Sequence, residues 1–166
     1  MRFLNLTRRR EIGANSYLLE SGDQRVVLDS GMHPKEVGFE ALPDFGPLPH
    51  DKANAIIISH AHHDHIGSLP VLMRKQPNTP VIMTEPTGEI ASGMLHNSVN
   101  VMTSQREELG INEYPFFTHK ELDENRAQYE LFHREIATGA EARAQQLGFE
   151  TQLFLLGAHS PAIPIK

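Results

Sequence analysis

The chain has 166 residues, 39% of them hydrophobic, which is enough for one domain with a sizeable core. Its 15 Lys and Arg against 21 Asp and Glu leave a formal net charge of -6, a poor balance for a stand-alone nucleic-acid binder, because phosphate binding draws on cationic side chains. There is no cysteine, so disulfides and thiolate metal sites are excluded, and no apolar run approaches the roughly 20 residues of a membrane span.

In chain order, residues 3–7 alternate apolar and polar and predict a strand. Residues 8–15 form a polar connection holding Gly13 and the basic cluster Arg8-Arg9-Arg10, which reads as a solvated turn. Strands are predicted over 16–20 and 25–29, joined by the turn Ser21-Gly22-Asp23-Gln24, so the first three strands form an antiparallel meander. The stretch 1–20 has no apolar core of signal-peptide type, and the expectation is a cytoplasmic protein. Asp29 ends the third strand beside Gly31. An Asp before a Gly is a common turn pattern, and taken alone it reads as that. His33 precedes Pro34 and belongs to a loop, residues 34–42 predict a short helix, and Pro43, Gly46, Pro47 and Pro49 then break regular structure.

Residues 54–58, Asn-Ala-Ile-Ile-Ile, predict a short buried strand. Directly after it stands His60-Ala61-His62-His63-Asp64-His65, followed by Gly67. The cluster thus sits on a strand-to-helix loop at the carboxyl end of a strand, where α/β folds place their chemistry. Neutral imidazole is a common ligand of zinc and similar ions, and carboxylate adds a hard, charged oxygen. Three imidazoles and a carboxylate this close in sequence do not all reach one ion with good geometry. The spacing therefore predicts two adjacent metal positions, His60 and His62 facing one and Asp64 and His65 the other. The bland alternative is a solvated His-rich loop.

A helix is predicted over 69–75, a buried strand over 81–84, and a long helix from Pro86 to Leu109 with Ile90, Met94, Leu95, Val99 and Met102 at helical spacing. Gly110 stops that helix. Thr118-His119-Lys120-Glu121 resembles a capping box opening a helix to about Tyr129. His96, His119 and His133 lack ligand-like spacing. Residues 130–136 predict a strand, 140–147 a helix by propensity, and 150–156 a last strand. His159 follows that strand after Gly157, which makes it a candidate third ligand beside His60 and His62. Three imidazoles and a water make the tetrahedral site of catalytic zinc.

His60-x-His62-x-Asp64-His65 resembles the signature of the metallo-β-lactamase superfamily of metal-dependent hydrolases. Val26-Val27-Leu28-Asp29-Ser30-Gly31-Met32-His33-Pro34 resembles its first motif, a strand ending in Asp-x-Gly. Thr84-Glu85-Pro86-Thr87 with the helix after it, and Leu156-Gly157-Ala158-His159-Ser160, are similar to the β-CASP RNA-processing nucleases. The resemblance implies an α/β (α+β) fold, an αββα sandwich, of which residues 1–166 are the N-terminal part of one domain. It implies zinc, two ions in a complete site, with His60, His62 and His159 on the first and Asp64 and His65 on the second. It implies that Asp29 supports the metal loop from behind, and that Asp64 orients or deprotonates the attacking water. The implied activity is hydrolysis of RNA or another phosphodiester.

The pattern breaks at the C-terminal end, where no residue matches the family's metal-bridging Asp or its last His. The expectations are therefore a fragment, a subunit completed by a second chain, or a minimal variant. The strands ending at Asp29 and Leu156 are expected to need partners, and a truncated sandwich would expose apolar surface and an open edge. An inactive metal-binding module, or a hydrolase of small thioesters or lactones, are the alternatives, since a fold does not set its substrate.

Overall fold

The structure is a computed structural model and describes residues 1–8 and 13–132. The expected strand over 150–156, the helix over 140–147, and His133 and His159 lie outside those residues.

Six strands form one mixed sheet in sequence order: β1 (Arg2–Asn5), β2 (Tyr17–Ser21), β3 (Gln24–Leu28), β4 (Ala55–Ile57), β5 (Val81–Thr84) and β6 (Tyr129–Phe132). The predicted meander is present: β1, β2 and β3 pair antiparallel, with Leu18 opposite Val27. The β2–β3 turn is tight because Gly22 takes a left-handed φ of 57°, which a residue with a Cβ adopts only with strain. From β3 onward every neighbour is parallel. Asn54 locks the change of direction: its backbone N–H donates to the Arg25 carbonyl (2.7 Å) and its Oδ1 accepts from the Arg25 N–H (2.7 Å). The strand ending at Asp29 has the partners it needs, because β3 is paired on both sides.

Parallel neighbours need crossovers, and helices supply them. β4 runs through α1 (His63–Ile66) and α2 (Leu69–Lys75) into β5. β5 continues into α3 (Glu85–Leu109) and α4 (His119–Asn125), then through a 3-10 turn, Arg126–Gln128, into β6. Thr84 caps α3, its hydroxyl accepting from the Thr87 N–H, and Gly110 ends the helix at a φ of 69°. Thr118 caps α4 in the same way, accepting from the Glu121 N–H. Helix α3 packs on β5, β6, α1 and α4, and α4 also meets α2.

The core gathers alternate strand residues and the inward faces of the helices: Leu18, Val27, Ile56, Ile66, Leu72, Val81, Leu95 and Phe117 are at most 1% exposed. Burying each such side chain contributes about 1.5–3 kcal/mol. Ile56 and Val81 lie next to each other on the sheet, so β4 is fixed beneath the loop that follows it. Among the described residues no helix is long and apolar enough to cross a membrane.

Three local expectations are corrected. The helix expected over 34–42 is only a 3-10 turn, Gly38–Ala41. Gly38 sits at a φ of 58°, outside the helical region, and the Ala41 carbonyl is taken by the His33 N–H (2.8 Å). The helix after Gly110 ends at Asn125, four residues early, because Tyr129 has joined the sheet beside Val81. The metal loop turns helical earlier than expected: α1 begins at His63, so Asp64 and His65 stand on a helical turn.

Candidate metal centre

The site forms where β3 and β4 end side by side. Asp29 leaves β3 with its N–H donating to the Ile57 carbonyl (2.8 Å) and its backbone in the left-handed region, φ 59°, which Asp tolerates better than most residues. That turn aims its carboxylate, on a residue only 7% exposed, at the loop leaving β4. Oδ1 accepts from the Ser59 N–H (2.7 Å), and Oδ2 accepts from the Ser59 hydroxyl (2.9 Å) and faces His65 Nδ1 (2.9 Å). One side chain therefore ties the residue just before the six-residue motif to the motif's last residue.

These bonds also set the imidazole tautomers. A carboxylate only accepts, so His65 Nδ1 carries the proton and its Nε2 presents a lone pair. The Ser59 hydroxyl donates its one hydrogen bond to Asp29. At 2.9 Å from His60 Nδ1 it accepts, which leaves the His60 Nε2 lone pair free as well. His60 Nε2 then faces His62 Nδ1 at 3.0 Å, and the His60 ring lies 4.1 Å from that of His65, centroid to centroid. On the other side of the cluster, Asp64 Oδ2 stands 3.5 Å from His65 Nε2.

The donor set fits a divalent ion of zinc type. Two nitrogens each bonded at about 2.0–2.1 Å to a tetrahedral ion lie about 3.3 Å apart, close to the His60–His62 spacing. Among the described residues no three His, Cys, Asp or Glu side chains gather as one metal-holding group. The sequence reading assigns His60 and His62 to one ion and Asp64 and His65 to another. Its third donor for the first pair, His159, lies outside the described residues.

Backbone contacts clamp α1 from below. The Ser30 N–H donates to the His65 carbonyl (2.8 Å), the Met32 N–H to that of His63 (3.1 Å), and the Asn15 N–H to that of Asp64 (2.9 Å). Gly31 makes this approach possible: a Cβ there would lie 1.7 Å from the Asp64 carbonyl oxygen. This is the physical content of the Asp-x-Gly motif. Asp aims at the loop, and Gly lets the loop sit on the backbone.

Two participants were not singled out from the sequence. Ser59 relays between Asp29 and His60. Asn15, read as the end of a polar connection, places its amide nitrogen 3.1 Å from Asp64 Oδ2 and 3.2 Å from His65 Nε2. Ser59 adjoins the motif, which is a usable signal. Asn15 is 49 residues from Asp64 and has none. His33, expected in a loop, is there: its Nδ1 accepts from the Lys35 and Glu36 N–H groups (3.1 and 3.0 Å). It lines a cavity of about 240 Å³ together with His63 and Ser98, and the lining includes none of His60, His62, Asp64 or His65. Burial pushes the His63 imidazole below its ordinary pKa, against the opposing pull of Asp64.

The profile of the metallo-beta-lactamase superfamily matches residues 9–135. Endoribonuclease ysh1 of Schizosaccharomyces pombe is 34% identical over 102 residues, covering 61% of this chain and 14% of that protein. Endoribonuclease YSH1 of Saccharomyces cerevisiae is 32% identical over 124 residues, covering 73% of this chain and 16% of that protein. The chain thus spans about one-seventh of the length of these relatives. Among solved structures, the Rm3 metallo-beta-lactamase aligns with 47% of this chain and 29% of its own, at 28% identity and a TM-score of 0.37. The family match covers well over half of the chain and includes both the Asp29–Gly31 turn and the His60–His65 cluster, so this chain belongs to the metallo-β-lactamase superfamily.

Proposed function

We propose that this chain carries the metal-binding part of a divalent-metal-dependent phosphodiesterase acting on RNA. The observation that carries the reading is the pairing of donors at the ends of β3 and β4, with the His60 and His65 lone pairs turned outward by Asp29 and Ser59. The similarity to two endoribonucleases supports RNA as the substrate class. In this reading His60 and His62 hold one zinc ion, with His159 as third ligand, and Asp64 and His65 hold a second. A bound ion supplies Lewis acidity, which lowers the pKa of water toward neutrality and offsets charge on phosphoryl oxygens. Asp64 keeps a carboxylate oxygen at the mouth of the site, where it holds an attacking water in line and takes its proton. Asp29 and Ser59 keep the imidazoles in the metal-accepting tautomer throughout. The placement in the cytoplasm, and a second chain completing the fold, belong to the same proposal.

The test is metal content by elemental analysis on the purified, dialysed 166-residue chain, with cleavage of a single-stranded RNA followed on the same sample. Bound zinc that falls in His60→Ala and Asp64→Ala, with RNA cleavage falling alongside, is the expected result. Metal content unchanged in both variants overturns the site. Metal bound at the site with a thioester hydrolysed and RNA left intact overturns the substrate.

A further inference from the structure

We infer that the cavity between α3 and the loop after β3 is a seat for one nucleobase of the RNA strand, beside the loop that carries the metal donors. The inference rests on the RNA reading of that loop and deepens it, because the metal donors do not say how the strand is held.

The cavity lies against the metal loop. Its wall includes His63, which stands between His62 and Asp64 in the chain, and the Ser98 hydroxyl on α3 is 3.3 Å from His63 Nδ1. At about 240 Å³ the cavity is smaller than the roughly 300–1,000 Å³ of sites for drug-sized ligands, so it suits one flat ring system better than a whole nucleotide. Its lining holds no Lys or Arg and does hold the carboxylate of Glu36. Phosphate is held by cationic side chains, so this lining favours the neutral part of a nucleotide, which is the base.

Three rings and two amides supply what a base needs. His33, His63 and Tyr114 belong to the wall, and the unpaired bases of single-stranded RNA stack on such rings. Met32, Met102 and Tyr114 are at most 4% exposed, which makes the inner part apolar. Hydrogen bonds hold that part in place. The Tyr114 hydroxyl accepts from the Gly38 N–H (3.0 Å), the Tyr114 carbonyl accepts from the Arg106 guanidinium (3.1 Å), and His33 Nδ1 accepts from two backbone N–H groups. A seat fixed in this way loses little freedom when it is filled. Asn97 and Gln105 stand four residues either side of Val101, on one face of α3, and all three line the cavity. A side-chain amide sets a donor beside an acceptor, the pattern that base edges present. Among the described residues neither amide is tied to another side chain.

The experiment is fluorescence anisotropy of the full chain with a short labelled single-stranded RNA, intact or with one abasic residue moved along it. Thermal midpoints and zinc content serve as controls and should match wild type in Asn97→Ala and Gln105→Ala. Removing the base at one position should weaken binding about 10- to 100-fold, the size of one base's stacking, and at the other positions much less. Asn97→Ala and Gln105→Ala should each weaken binding of the intact RNA about 3- to 10-fold, the size of one neutral hydrogen bond. Neither should weaken binding of the RNA that is abasic at the sensitive position, a pattern that misfolding does not produce. Equal binding for every abasic position, or variants that weaken abasic and intact RNA alike, overturns the inference while the RNA reading stands. Failure of the zinc-loaded wild type to bind any of these RNAs overturns the RNA reading together with the inference.

Discussion

Replacing Asp29 by Asn tests the architecture of the site most directly. The two side chains have nearly the same shape, and Asn also tolerates the left-handed backbone at this position, φ 59°. Packing and backbone are therefore preserved, and only acceptor capacity changes. The wild-type carboxylate accepts at both oxygens: the Ser59 N–H at one, the Ser59 hydroxyl and His65 Nδ1 at the other. An amide keeps one oxygen, which stays with the Ser59 N–H because that donor cannot rotate. Its NH₂ then meets His65 Nδ1, which must accept, so the His65 proton moves to Nε2 and covers the lone pair facing Asp64. A hydrogen bond to a charged group contributes about 1.5–3 kcal/mol, which corresponds to roughly 10- to 100-fold in binding at the Asp64–His65 position. The assay is competition for Zn²⁺ against a chromophoric chelator at pH 7, resolving the two binding steps. Binding at the His60–His62 position should fall less, because Ser59 regains its freedom but still adjoins His60. Two steps of wild-type affinity in Asp29→Asn would refute the tautomer argument.

Three further outcomes follow from the same contacts. Gly31→Ala drives a Cβ to 1.7 Å from the Asp64 carbonyl oxygen and should destabilise the fold by about 3 kcal/mol or more, read as a lowered midpoint in urea; an unchanged midpoint contradicts the clamp. Burial pushes the Tyr129 hydroxyl up to about 12 from 10.0, with Arg126 opposing, so its contribution is fully present below pH 10 and is lost as pH rises toward 12. Between pH 9 and 11.5 the wild type should lose roughly 2 kcal/mol more than Tyr129→Phe, measured by denaturant titration, and parallel slopes would count against the burial. Arg74 and Glu121 form a two-point ion pair between α2 and α4 (2.5 and 2.9 Å), yet Arg74 is half exposed, so Glu121→Gln should cost less than about 1 kcal/mol and less again at 1 M salt. A loss of several kcal/mol, insensitive to salt, would show the pair to be more than a surface contact.

The sequence by itself determined whatever is encoded between near neighbours. The metal motif is six contiguous residues behind an apolar β-branched run, so its donors and its place after a strand are readable without coordinates. The meander was legible because alternation and the Ser-Gly-Asp-Gln turn are local signals. So was the long helix α3, with periodic apolar residues between Pro86 and a terminal Gly. The short helix over 34–42 was misread for the converse reason: local propensity yielded to the left-handed Gly38 and to a bond from His33 to Ala41. Tyr129 was likewise taken from a helix by its pairing with Val81. Only the tertiary structure decided what supports the donors. Asp29 reaches Ser59 across 30 residues and Asn15 reaches Asp64 across 49, contacts set by where β2, β3 and β4 end relative to one another. Those distances in sequence leave no periodic trace, because a sheet brings its strand ends together by hydrogen bonding between neighbours and by burying Val27, Ile56 and Val81 in one core. The residue types of the candidate site are thus written along the chain, while their orientation and mutual spacing follow from the fold.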